Sequence, residues 1–336
     1  MRQGRTLIAA LLPLLAVLAA TIAWPPAGAA AGTRPADGPA GEGRWQSRAP
    51  LPVAQGGLAT ATVSGQILAI GGFSSNFKAA LHVVQAYNPW ANSWQELAPL
   101  PTARGDLAAA AADGQVYAIG GLDTAGNSVA TVEVFRPASN TWAAGTPLPV
   151  PLGGDAAVAL GDRIYVFGGY DAGGAAVASV EVYDLRTRTW SQAAPMPTAR
   201  GLLRVAVSGG QIYAIGGADS NGTPLATVEV YTPARNHWRE ASPMSVPREG
   251  AGVATAADGR IVAVGGCCTA AHRFYQTAEI YSPRANRWSA FPGLPIPRAS
   301  LVAAPGPHGL IFAIAGFQGI PPDILASHLL DAICVR

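Results

Sequence analysis

Charge is scarce in this sequence. Only 12% of its 336 residues are Asp, Glu, Lys or Arg, against an apolar fraction of 49% and 40 glycines. That balance excludes intrinsic disorder and lets the chain bury a large core. The formal net charge is +2, but Arg2 and Arg5 lie in a leader without acidic residues, and beyond them 20 basic residues face 20 acidic ones. A neutral chain is a poor partner for nucleic acid or an anionic membrane, and neither is expected. After residue 31 every apolar run is short and broken by glycine or proline, which excludes a transmembrane helix there. His82, His237, His272, His308 and His328 are scattered without paired spacing, so no zinc or copper set can be drawn and no cofactor is expected. No nucleophile-elbow sequence occurs.

The leader itself is legible. Arg2 and Arg5 precede an apolar run from Leu7 to Trp24, and Ala27-Gly28-Ala29 or Ala29-Ala30-Ala31 supplies small residues for cleavage. Residues 1–31 are expected to be a signal peptide, which places the protein outside the cytoplasm, secreted or periplasmic. The alternative is an uncleaved membrane anchor, since 18 mostly apolar residues nearly span a bilayer. Residues 32–43, rich in Gly, Pro and Ala, read as a flexible spacer.

From residue 44 onward the chain repeats itself. Glycine doublets fall at Gly71-Gly72, Gly120-Gly121, Gly168-Gly169, Gly216-Gly217 and Gly265-Gly266, with Ala315-Gly316 in the sixth place, at intervals of 49, 48, 48, 49 and 50. Trp45, Trp94, Trp142, Trp190, Trp238 and Trp288 keep almost the same beat. In five units an aromatic, Tyr87, Phe135, Tyr183, Tyr231 or Tyr281, stands seven residues before the tryptophan. A period near 50 residues marks stacked supersecondary units that cannot bury their apolar faces alone. Short β-rich runs joined by turn residues, such as 107–112, 115–121, 130–135 and the segment at Trp142, predict four antiparallel strands per unit.

The apolar run ending in Gly-Gly, the Val-Glu-Val-Tyr strand and the tryptophan seven residues later resemble the Kelch repeat across residues 45–336. The resemblance implies an all-β fold: a β-propeller with one four-stranded blade per repeat around a central channel. The last unit has three strands and then the chain stops, whereas Trp45 precedes any complete unit. Residues 44–48 are therefore expected to complete the sixth blade, closing a six-bladed ring over residues 44–336 without an exposed edge.

In such a propeller the loops leading into first strands and those joining second to third strands share one face, where ligands of this fold bind. Aligning the leading loops puts Gln55, Arg104, Leu152, Arg200, Arg248 and Arg298 at one position, with Asp106, Asp155, Arg204 and Glu249 close by. Two readings follow: the arginines ring the channel mouth and capture an anionic group, or they hydrogen-bond carbonyls of neighbouring blades. The loops after the doublets differ most between repeats, and Phe73, Phe77, Tyr170, His272, Arg273, Tyr275 and Phe317 stand there as candidates for carbohydrate or peptide contact. The recurring Glu133, Glu181, Glu229 and Glu279 read as scaffold hydrogen-bonding groups.

Three cysteines, Cys267, Cys268 and Cys334, leave an odd thiol. A bridge from Cys268 to Cys334 would have to reach across the blade, beyond disulfide geometry. A vicinal Cys267–Cys268 disulfide and a pair of free thiols both stay open. The overall expectation is a monomeric, non-catalytic exported propeller binding a protein or glycan ligand. The alternative is a periplasmic sugar-acid isomerase, which the resemblance to exported Kelch propellers acting as sialic acid mutarotases allows, with the arginines holding the carboxylate. What separates the two is a lone, non-repeated acid/base group at the channel, for which Glu249 is the candidate.

Overall fold

The computed structural model describes residues 43–268, 273–320 and 323–335. The expected leader, nearly all of the spacer, and His272 lie outside them. The described chain folds into six four-stranded antiparallel sheets arranged as blades. Blade two illustrates the plan: Ala108–Ala112, Gln115–Ile119, Val132–Arg136 and Thr141–Ala144 follow one another outward from the axis. The sequence reading of this unit was right to within two residues at each end.

Blade six is assembled from both ends of the chain. Its strands Val302–Pro305, Leu310–Ile314 and Leu330–Cys334 are completed by Gln46–Ser47, which pairs with the last of them in the register Gln46↔Ala332 and Ser47↔Asp331. The tryptophans make this closure part of a ring of identical bonds. Each outer-strand indole donates to a carbonyl of the preceding blade: Trp94 to Ala49, Trp142 to Ala98, Trp190 to Thr146, Trp238 to Ala194 and Trp288 to Ser242. Trp45 donates to Pro292 at 2.7 Å and so links blade six back to blade five.

The apolar core lies between blades, as the size of the repeating aromatics required. Tyr87 of blade one packs on Trp94 in its own blade and on Phe312 of blade six, with centroids 5.1 and 5.4 Å apart. Along the axis the first strands converge, and small residues such as Thr60, Ala109, Ala157, Val205 and Ala303 leave a cavity of about 340 Å³. Each glycine doublet abuts the next blade's leading loop. A Cβ on Gly71 would stand 2.6 Å from the Arg104 carbonyl, and its φ of +62° already favours glycine.

One element escaped the sequence reading. Phe317–Ile320 and Asp323–Ala326 form a small hairpin between the second and third strands of blade six. It leans over blade one: Phe317 meets Phe77 at 4.2 Å, the Ile324 amide donates to Asn76 Oδ1, and the Ala326 amide donates to Ser75 Oγ.

Candidate ligand-binding face

The four repeated arginines do not line the mouth with free guanidinium groups. Arg104, Arg200, Arg248 and Arg298 are fully buried inside their own blades. Arg104 donates to Glu133 Oε2 at 2.9 Å and to the Thr131 carbonyl, and Arg200 to Glu229 Oε2 at 2.7 Å and the Thr227 carbonyl. Arg248 pairs with Glu279 and Arg298 with Asp331 in the same way. The expectation of an anion-capturing arginine ring is therefore corrected. A charge on the leading loop meets a charge on the third strand in each of these repeats, and the pair ties two segments that only folding brings together.

The exceptions follow the same logic. Blade one replaces the ion pair with two amides: Gln85 Nε2 donates to Gln55 Oε1 at 2.6 Å, and Gln55 donates to the Gly71 carbonyl. Gln55, also placed at the mouth by the alignment, is thus an internal tie. Blade three has Leu152 in the arginine position. Its Glu181 is fully buried, with one oxygen bonded to Gln192 and the other without a partner.

Closer to the axis, the residues that follow the arginine position by two form a chain of backbone hydrogen bonds around the mouth. Gly57 donates to the Ser300 carbonyl, Asp106 to Gly57, Gly154 to Asp106, Leu202 to Gly154 and Gly250 to Leu202, at 2.7–3.0 Å. This constriction involves all six blades. Asp106 belongs to it, and its carboxylate lies against Gly57. Beside the constriction stands Arg204, where the other first strands begin with Ala59, Ala108, Ala156, Gly252 and Val302. Arg204 reaches from blade four to the Leu301 carbonyl of blade six at 3.4 Å, and Asp106 and Asp155 are its electrostatic partners. Burial pushes the Asp106 carboxyl up to about 6 against the pull of Arg204.

Asp155 occupies a place built for leucine. Leu107, Leu203 and Leu301 lie over Gly71, Gly168 and Gly265 of the preceding blades; over Gly120 lies the Asp155 carboxylate. It is 2% exposed and neither oxygen accepts a hydrogen bond from another side chain. Burial raises its carboxyl well above the usual range, while Arg104 and Arg204 oppose the shift. Asp155→Leu is expected to stabilise the fold by on the order of 2 kcal/mol at neutral pH. A carboxyl that titrates higher folded than unfolded holds a proton the unfolded chain has already lost, so it makes stability rise as pH falls toward the unfolded value near 4. Denaturant melts at pH 4.5 and 7.5 should show that the variant has lost part of this rise. A less stable variant at pH 7.5 would mean that the carboxylate has a partner the leucine removed.

On the loop face itself, each residue after a glycine doublet bridges to the residue after the arginine position, as in Gly56↔Phe73, Gly105↔Leu122 and Gly153↔Tyr170. Its side chain then covers the corresponding glycine of the next blade: Phe73 over Gly105, Leu122 over Gly153, Tyr170 over Gly201, and Phe317 over Gly56. This paving requires glycine beneath it. Blade five breaks the rule, with Glu249 in the glycine position, and by the same register the covering residue from blade four is the small Ala218. Glu249 is therefore the one ionisable side chain in that ring. Its carboxyl is pushed up to about 7, by burial first and then by the charge of Asp106.

Around Glu249 the structure gathers several residues singled out in the sequence. Cys267 exchanges two backbone hydrogen bonds with it, at 2.7 and 2.9 Å, and Cys268 Sγ lies 3.5 Å from Oε1. Cys267 and Cys268 are bonded to one another, and Cys334 is a free cysteine. Tyr170 and Tyr275 feel the charge of Glu249, and the Tyr275 ring stands 5.3 Å from the Arg248 guanidinium carbon. Arg273 is exposed on the segment leading to Tyr275. Phe73 and Phe77 belong to a different sector, with centroids 5.7 Å apart, where Phe77 (44% exposed) and Leu325 (49%) form an apolar rim with the blade-six hairpin. Sequence reasoning missed the pairing of Arg204 with Asp106 and Asp155, although their departure from the repeat pattern was a usable signal.

This architecture agrees with comparison to known proteins. Residues 107–304 match the family model described as the KLHDC2/KLHL20/DRC7 Kelch-repeats domain, and residues 56–101 match the Kelch motif. The chain belongs to the Kelch-repeat family. No curated protein matches it at a significant level. Among solved structures, the Kelch propeller described here is similar to the one titled "Structure of YjhT", with a TM-score of 0.72 and 17% identity over 85% of this chain and 97% of that one. At that identity the likeness is one of fold.

Proposed function

We propose that this Kelch propeller is an exported, non-catalytic binding module that takes a protein or glycan ligand on its loop face. The observation that carries the reading is the make-up of that face: the buried rings of Phe73 and Phe317 support the exposed Phe77 and Leu325, Tyr170 lies partly open, and Glu249 is the one ionisable residue at its repeat position. Aromatic surface beside a hydrogen-bond acceptor suits sugar rings and peptide side chains alike. Because the repeated arginines are consumed internally, the ligand is not selected by an anionic group held in an arginine ring.

The second reading is sugar-acid isomerisation, and one observation favours it. Glu249 is a non-repeated carboxylate at the mouth with Asp106 as its electrostatic neighbour, the kind of group that proton transfer needs. In that reading the exposed Arg273, on the segment leading to Tyr275, is the cation nearest this sector, because Arg204 already faces Asp106 and Asp155.

The test is a thermal-shift screen of the full chain against neutral sugars, sugar acids and peptides, with Phe77→Ala, Tyr170→Ala and Glu249→Gln alongside. A ligand that binds the native state raises the melting temperature with the logarithm of its concentration over Kd. The binding reading expects a shift that is lost in the aromatic variants, with the ligand unchanged by NMR. Interconversion of a sugar acid by the wild type, abolished in Glu249→Gln, would replace binding with catalysis.

A further inference from the structure

We propose that Glu249, Cys267 and Cys268 form a redox-gated site for zinc or a similar soft divalent cation, closed while the cysteines are bonded and opened by a dithiol reductant. The proposal stands apart from the binding and isomerase readings, since it concerns an inorganic ligand.

The geometry comes first. One carboxylate oxygen of Glu249 and the two sulfurs all lie within 4.8 Å of one another. Zinc binds thiolate at about 2.3 Å and carboxylate at about 2.0–2.2 Å in a tetrahedron, so ligand atoms sharing one ion sit roughly 3.5–3.8 Å apart. The 3.5 Å between Cys268 Sγ and Glu249 Oε1 already meets that spacing. The donor set, two sulfurs and one oxygen, is the borderline-soft mixture zinc selects.

The scaffold is fixed before any ion arrives. The two backbone hydrogen bonds between Glu249 and Cys267 hold the acid and the first cysteine on facing segments. The second and third strands of blade five, Ile261–Val264 and Ala278–Ser282, anchor the loop that carries the cysteines. Among the six repeats, only this one places an acid opposite a cysteine; elsewhere the acid's position is glycine or alanine. Repetition explains the buried arginines as architecture. It cannot explain three ligand-type residues that occur together once.

The chemistry balances. A dithiol reductant breaks the Cys267–Cys268 bond and is oxidised to its own disulfide, and its two electrons and two protons end on the cysteine sulfurs. The cation then displaces those two protons and binds two thiolates and one carboxylate. Three protein ligands leave the fourth corner of a tetrahedron to an exogenous ligand, as in catalytic zinc sites.

The test uses the full chain carrying Cys334→Ser, so that the third cysteine does not contribute. Protein reduced with dithiothreitol, freed of reductant anaerobically, is titrated with Cd2+ while thiolate-to-metal absorption is followed, and Zn2+ uptake is measured by equilibrium dialysis. The expected result is one ion per reduced chain, a raised melting temperature on binding, and no uptake by the oxidised protein. Cys268→Ser should abolish the absorption. Glu249→Gln, nearly isosteric, should keep it but weaken affinity at least about tenfold, a loss that even an outer-shell partner can cause. No absorption in the reduced protein, uptake unchanged by Cys268→Ser, or equal uptake by the oxidised form would each overturn the proposal. Melting of the metal-free variants separates a lost site from a lost fold.

Discussion

Replacing Arg200 with alanine is expected to destabilise the propeller by about 3–5 kcal/mol, because it strands Glu229 as an unpaired buried carboxylate. Arg200 is fully buried, and Glu229, 1% exposed, also accepts from Thr198 at 2.6 Å. For a domain of this size the drop in Tm should be on the order of 10 °C. The internal comparison sharpens the prediction. Blade one holds the same two positions together with Gln55 and Gln85 and no charge, so the double variant Arg200→Gln, Glu229→Gln should recover most of the loss. Thermal melts of wild type, single and double variants check both parts. A single variant that melts like wild type but loses a ligand would return the arginine to the binding site.

Removing the first 48 residues is expected to cost a comparable amount. The truncation deletes the outer strand Gln46–Ser47, the Trp45 indole bond to Pro292, the Arg48 amide bond to the Leu330 carbonyl and the Ser47 hydroxyl bond to Asp331. Loss of the tryptophan alone is a change of about 3–5 kcal/mol in a packed site. Trp45 packs against the cluster between blades five and six that contains Leu294, Ile311 and Ile333. The exposed Leu330–Cys334 strand would also present an unpaired edge, so size-exclusion chromatography should show association in addition to a lower Tm. A synthetic peptide spanning residues 43–50 should restore part of the stability in trans. A truncated protein with unchanged melting would sink the closure of the ring by its N-terminus.

Both predictions rest on features that a one-dimensional reading could reach in different degrees. The strand order, the doublets and the tryptophans were legible because each repeat meets the same neighbours, so a residue needed between blades recurs at the repeat period. The N-terminal closing strand was legible for the same reason: six tryptophans had to serve six blades. The role of the arginines was not. An alignment places them in the leading loops, but whether a guanidinium points to solvent or into its own blade depends on where Glu133, Glu229, Glu279 and Asp331 fall across the sheet. The pairing of Arg with Glu in three blades, Arg with Asp in one and Gln with Gln in another was present in the sequence as matched changes. The blade-six hairpin was hidden because its short strands interrupt the repeat.

What the sequence determined by itself is the architecture: the all-β Kelch repeat, the number of blades and the way the ring closes, since a periodic chain states its nearest-neighbour contacts once per period. What only the tertiary structure decided is which departures from the period meet. Asp106, Arg204 and Glu249 lie in blades two, four and five, 45 to 143 residues apart in the chain, and nothing in their spacing ties them to one another. A closed ring converts equal spacing along the chain into convergence on an axis, so residues at equivalent positions of distant repeats become neighbours at the mouth while their sequence neighbours are carried away to the rim.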